Sequence, residues 1–183
     1  MGVALGCLLL AAPTGATVLT AELRVNGLSC PFCAFGIEKK LLEVDGVQDV
    51  EVFLDEGRLT LTFEADNEAT VADLAKAVEK AGFELAGLSL TVRGRVVDGA
   101  EGGPVLVANP RMRFHLAERH GKATQSISTS AVERLRGSAG SSNPVVVTGE
   151  VQGLDETEAT LVVAPAARSD IPSVVAPEQT RSQ

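Results

Sequence analysis

The sequence predicts an α+β chain in which a strand-helix-strand-strand-helix-strand unit runs directly into a small all-β barrel. Two observations carry this reading. Over residues 21–88 the apolar period switches between 2 and 3.6 in that order, and from residue 89 onward strand-like runs dominate.

Ala21, Leu23 and Val25 alternate with Glu22 and Arg24, which marks a half-buried strand. Pro31 then suits the first turn of a helix, where its missing N–H is not needed. Ala34, Ile37, Leu41 and Leu42 recur at helical spacing, with Glu38, Lys39 and Lys40 on the wet face. Phe35 is expected in the core beside Ile37 and Leu41, with an apolar rim formed alongside Pro31 and Phe32 as the competing reading. Asp45-Gly46 stops the helix. Val50, Val52 and Leu54 alternate, Asp55-Glu56-Gly57 turns the chain, and Leu59, Leu61 and Phe63 return as a hairpin. Thr70-Val71-Ala72-Asp73 fits a capping box, and Val71, Leu74, Ala75 and Val78 make the apolar stripe of a second helix. Gly82 ends that helix, and Phe83 and Leu85 open the next strand. This order is the ferredoxin-like βαββαβ arrangement.

Leu90, Val92, Gly94 and Val96 continue as one long strand, without a flexible linker. Residues 105–107, then Met112, Phe114 and Leu116, read as two more strands. Residues 121–130 are polar and loop-like, 131–136 fit one or two helical turns, and 137–143 form a Gly/Ser linker. Residues 145–151 and 159–163 close the series. Five strands with a helix between the third and fourth suggest a small barrel of the OB type, with a two-sheet sandwich as the competing reading. Residues 166–183 read as a disordered tail. The expected partition is a signal-like segment at 1–20, a ferredoxin-like domain at 21–88, an OB-like barrel at 89–165 and the tail.

Of the 183 residues, 45% are apolar and 22% charged, as in a globular chain. A net charge of −8 argues against a general binder of nucleic acid or anionic membrane. With no Trp or Tyr and six Phe, the cores must rest on Val, Leu and Ala. Residues 2–12 are small or apolar and resemble the h-region of a secretory signal, too short to span a bilayer, although no Lys or Arg precedes them. Cleavage after Ala16 or Ala21 fits, so a periplasmic or otherwise exported protein is expected. An uncleaved N-terminal anchor is the one membrane route. Cys7 lies in this segment, which leaves Cys30 and Cys33 as the thiols of the mature chain.

Thiolates are both soft-metal ligands and redox nucleophiles. Cys30-Pro31-Phe32-Cys33 therefore suits metal capture, disulfide exchange or a structural disulfide. Cys33 falls in the first helical turn, where free N–H groups and the positive dipole end are expected to favour its thiolate. Two thiolates match a low-coordinate soft ion, Cu(I) or Hg(II), better than Zn(II), whose structural sites take four ligands. His115 and His120 are read as solvated or packed histidines. No nucleophile–base set, phosphate loop or paired-carboxylate motif points to an enzyme.

Gly27-Leu28-Ser29-Cys30-Pro31-Phe32-Cys33, a following amphipathic helix, Gly46-Val47, the hairpin and Ala81-Gly82-Phe83 together resemble the heavy-metal-associated domain. That is the fold of copper chaperones, of the N-terminal modules of metal-pumping ATPases and of periplasmic mercury-scavenging proteins. Gly27, Cys30 and Cys33 match its G-M-x-C-x-x-C motif, while Leu28 stands at the usual Met and Ser29 where Thr is frequent. The resemblance implies one soft ion held by Cys30 and Cys33, and Leu28 buried beneath the loop. It places Ser29 beside the ligands and Phe83 near the metal, with exposed Phe32 as a partner contact. It also implies a monomer that passes metal to a transporter or resistance protein.

The same C-P-F-C resembles the active site of glutaredoxin-like proteins. Those domains require a second β-α unit before their hairpin and a cis-Pro loop, whereas residues 34–103 hold no Pro. A non-metal interaction module is the third reading. Gly94-Arg95-Val96, Phe114-His115-Leu116 and residues 145–151 are similar to small bacterial OB-like domains of exported proteins, which implies docking or scaffolding. Arg111, Arg113 and Arg119 form a small basic edge or a solvated strand face. Nucleic-acid-binding OB folds use stacked aromatics and a basic groove, and this segment has one Phe.

Overall fold

A computed structural model describes residues 17–99, 103–118, 144–153 and 159–163. The helical turns expected at 131–136, their flanking loop and linker, the tail, Arg119, His120 and residues 1–16 lie outside the described residues. In chain order the elements are β1 (Thr17–Asn26), α1 (Pro31–Leu42), β2 (Val47–Phe53), a 3-10 turn (Leu54–Glu56), β3 (Arg58–Phe63), α2 (Val71–Lys80) and β4 (Glu84–Asp98). There follow β5 (Pro104–Asn109), β6 (Met112–Glu118), β7 (Val145–Gln152) and β8 (Ala159–Val163). β1 thus begins four residues inside the stretch read as signal-like.

The first four strands pair antiparallel in the order β2-β3-β1-β4. This is the ferredoxin-like order that the alternating periods imply. Ile37 and Leu41 from α1, and Leu74 and Val78 from α2, pack with Leu23, Leu59, Leu61, Leu88 and Leu90 in one apolar cluster. Each such side chain contributes about 1.5–3 kcal/mol on burial. α2 starts on the expected capping box: Asp73 N donates to Thr70 Oγ1 at 3.2 Å, and Thr70 N donates to Asp73 Oδ2 at 3.2 Å. Two expectations for α1 fail. Phe35 is 68% exposed and Leu42 is 45% exposed, so neither is core. At about 100° per residue, Phe35 lies roughly 200° from Ile37, on the opposite side of the helix.

β4 does not stop at the end of this unit. Glu84–Arg93 pairs with β1, Ser89–Gly94 pairs with β7 along the other edge, and Arg95–Asp98 pairs with β5. The pairing then continues β5-β6-β8-β7, with β6 and β8 parallel, and closes on β4 as a five-stranded barrel. Closure through β7 rules out the two-sheet sandwich. Leu88, Leu90, Val92 and Val96 on one face of β4 join Leu106, Phe114 and Leu161 of the barrel in the same cluster that holds the helices. A second tie joins the halves, because Asn109 Nδ2 donates to Ala69 O at 3.2 Å, just ahead of α2.

Gly94 sits where β4 leaves its pairing with β1 and begins its pairing with β5. A Cβ there would fall on Val107 O, with Leu106 Cδ1 3.0 Å away. The backbone oxygen cannot swing aside as a side chain would. Gly94→Ala is therefore expected to lower stability by roughly 1–3 kcal/mol, the usual scale for overpacking. A thermal melt unchanged from the parent would contradict this close approach.

Candidate metal centre

β1 ends at Asn26, and Gly27 turns the chain with φ of +80°, a conformation that strongly favours glycine. Leu28 then points inward and is only 4% exposed, as expected of the residue beneath the loop, and Ser29 is exposed. Cys30 is the N-cap of α1, with Pro31 at the first helical position. Ala34 N donates to Cys30 O at 3.0 Å to open the helix. Cys30 is half-buried, Cys33 is exposed, and both thiols are free. Two other turns frame the loop. Val25 N donates to Gly57 O at 2.9 Å, which draws the β2–β3 turn against its base. Asn26 pairs with Glu84, which places Phe83 at the same end of the sheet, half-buried against the core.

The electrostatics divide the two thiols differently from the sequence expectation. Cys30, not Cys33, is the favoured thiolate. Its pKa is lowered first by the Cys33 backbone N–H, then by the Cys33 thiol and the Phe32 N–H, against a small opposing effect of burial. Its side chain closes no capping hydrogen bond, so this is the field of the first-turn dipoles rather than a full cap. The Cys33 pKa is raised, chiefly because its thiol donates towards the Cys30 sulfur, with desolvation and the Cys30 charge adding. The N-cap faces the free N–H groups of the second and third helical residues, whereas a residue inside the first turn supplies one of them.

The pair therefore offers one poised thiolate and one thiol whose proton would leave if a soft cation bridged both. Among the described residues no group of three or more Cys, His, Asp or Glu could hold a metal. His115 lies on β6, in the barrel and half-buried. Phe32 is 90% exposed, as expected, and Phe35 joins it one turn along α1. The rim reading of Phe35, set behind the core reading in the sequence, is the one its exposure supports, and its spacing of three from Phe32 is the signal for a shared helix face.

Residues 22–84 match the heavy-metal-associated domain. A copper chaperone, CopZ of Bacillus subtilis, is 39% identical over 64 residues, which cover 35% of this chain and 91% of that protein. The chain belongs to the heavy-metal-associated family. The periplasmic component of mercuric transport from Pseudomonas fluorescens is 36% identical over 72 residues, covering 39% of this chain and 78% of that one. Among solved structures, oxidized MerP from Ralstonia metallidurans CH34 is 28% identical, covers 38% of this chain and 96% of its own, and gives a TM-score of 0.35. The heavy-metal-associated match stops at the first residue of β4, so most of β4 and the rest of the barrel lie outside it.

Limited alkylation at neutral pH, read by peptide mass mapping, is expected to modify Cys30 ahead of Cys33. Because the Cys30 pKa is lowered, its reactivity should persist to lower pH than that of an ordinary cysteine and fade as pH falls through its pKa. Cys33 labelled first, or both at equal rate, would contradict the assignment.

Proposed function

We propose that the protein is an exported carrier that captures one soft ion, Cu(I) or Hg(II), between Cys30 and Cys33 and hands it to a metal transporter or resistance protein. One observation carries the reading: two free thiols share one helix N-terminus at an open rim, with no cluster of three donors among the described residues. Zn(II), which takes four ligands in structural sites, is poorly matched to such a pair. Membership of a family that includes relatives named for copper and for mercuric transport supports the class of cargo. The mercuric relative, named as a periplasmic component, supports export.

Exposure of Cys33 leaves the ion open to attack by incoming thiolates, which is how ligand exchange proceeds. Phe32 and Phe35 stand beside it as an apolar rim for a docking partner, since exposed aromatics are favoured anchors at interfaces. Leu28 holds the loop from below, and Ser29 and Phe83 flank it. We assign the barrel to the OB type, supported by its order β4-β5-β6-β8-β7 with β6 and β8 parallel. It serves as a docking or scaffolding module.

Titration under reducing conditions with Cu(I), Hg(II) and Zn(II) in competition tests the carrier reading. One equivalent of Cu(I) or Hg(II) should bind, with Zn(II) far weaker. Cys30→Ser and Cys33→Ser should each weaken Cu(I) binding by more than about 100-fold, since even groups behind the ligands are worth 10–100-fold. Parent-like affinity in both variants would sink the site assignment. Phe32→Ala should keep that affinity but slow Cu(I) handover to a transporter's metal-binding domain, and an unchanged handover rate would remove the aromatic from the docking face.

A further inference from the structure

Resting on the export reading above, we infer that the signal-like segment is cut at the Ala16–Thr17 bond, so that Thr17 becomes the first residue of the mature protein. The sequence offers two small residues after which cleavage fits, Ala16 and Ala21. The fold distinguishes between them.

A cut after Ala21 would remove Thr17–Ala21, which is half of β1. That strand lies between β3 and β4, so both neighbours would lose partners. Thr20 and Ala21 pair with Thr62 and Leu61 on one side, and Thr17, Val18, Thr20 and Ala21 pair with Arg93, Val92, Thr91 and Leu90 on the other. Thr17 and Val18 are each 2% exposed. A buried side chain holds them in place. Asn67 Nδ2 lies 2.7 Å from Thr17 Oγ1, 2.9 Å from Val18 O and 2.7 Å from Glu64 O. Among the described residues its Oδ1 has no hydrogen-bond partner, so there the amide is held through its donor end. Loss of the first two acceptors would leave Glu64 O as the one remaining of these three acceptors for two N–H donors, and an unpaired buried donor is costly.

The residues before each bond point the same way independently. Signal cleavage prefers small side chains at the last and third-last positions. The Ala16 bond has Ala16 and Thr14 there, whereas the Ala21 bond has Ala21 and the larger Leu19. Cleavage acts on a chain still in transit, and the Asn67 contacts then lock the new terminus into the sheet.

The test is the intact mass of the chain expressed from its own Met1 in a Gram-negative host and released by osmotic shock. A chain spanning residues 17–183 is expected, and Ala16→Arg should accumulate uncut precursor. An exported chain starting at Glu22, or anywhere but Thr17, overturns the inference while leaving export standing. A full-length chain confined to the cytoplasm overturns both. In parallel, chains made to begin at Thr17 or at Glu22 behind an initiator Met report on the lock itself. Only the former should melt cooperatively and bind one Cu(I). A Glu22 chain that melts within a few degrees of it overturns the structural argument.

Discussion

β4 is hydrogen-bonded along both edges over Ser89–Arg93, to β1 on one side and to β7 on the other. This double pairing makes one strand a member of two sheets and fixes how the two halves sit. Its buried face is continuous, so the helices and the barrel share one apolar cluster rather than meeting through a linker. The side-chain period of a strand is 2, and a slip of one residue would turn the buried face of both units outward. The register of β4 is therefore specified twice over. The Cys30–Cys33 loop is tied to that frame, because Glu84 at the start of β4 pairs with Asn26 at the loop's base.

On this frame the chemistry needs few parts. Leu28 and Gly27 fix the path of the loop into α1, and the free N–H groups of the first turn lie close to the Cys30 sulfur. Thiolate character is thereby supplied by backbone dipoles rather than by a basic side chain, which leaves the rim apolar around Phe32 and Phe35. On the proposed function a soft ion would suit such a setting, because it would bind through polarizable sulfur and lose little by lying beside aromatic surface. The acidic balance of the ferredoxin-like half, with 14 carboxylates against 6 Lys and Arg over residues 17–88, is carried away from the ligand loop itself, where residues 26–36 are uncharged.

Much of this was legible in the sequence, for physical reasons that differ by element. The Cys pair, Pro31 and the Thr70–Asp73 box act through neighbours in the chain, so their spacing alone reveals them. The burial of Leu28 and the hairpin at 50–63 followed from alternation and motif. Phe35 is near Ile37 in the sequence but not on its face, because two residues of helix turn the side chain through about 200°. The sequence points to Cys33 as the thiolate because helix dipole arguments name a turn, whereas the N-cap geometry names a residue. Closure of the barrel was open because periodicity reports which face is buried and not which strand lies alongside. The start of β1 at Thr17 was obscured for a related reason: Thr17 is polar, and its place in the core is secured by Asn67, fifty residues away.

The central claim is that two sulfurs of this chain alone hold the ion. X-ray absorption at the copper edge, on protein loaded with one Cu(I) in thiol-free buffer, measures that ligand set directly. Two sulfur scatterers and no nitrogen or oxygen neighbour are expected. A coordination shell containing imidazole or carboxylate, or one that survives replacement of both Cys30 and Cys33 by Ser, would contradict the account.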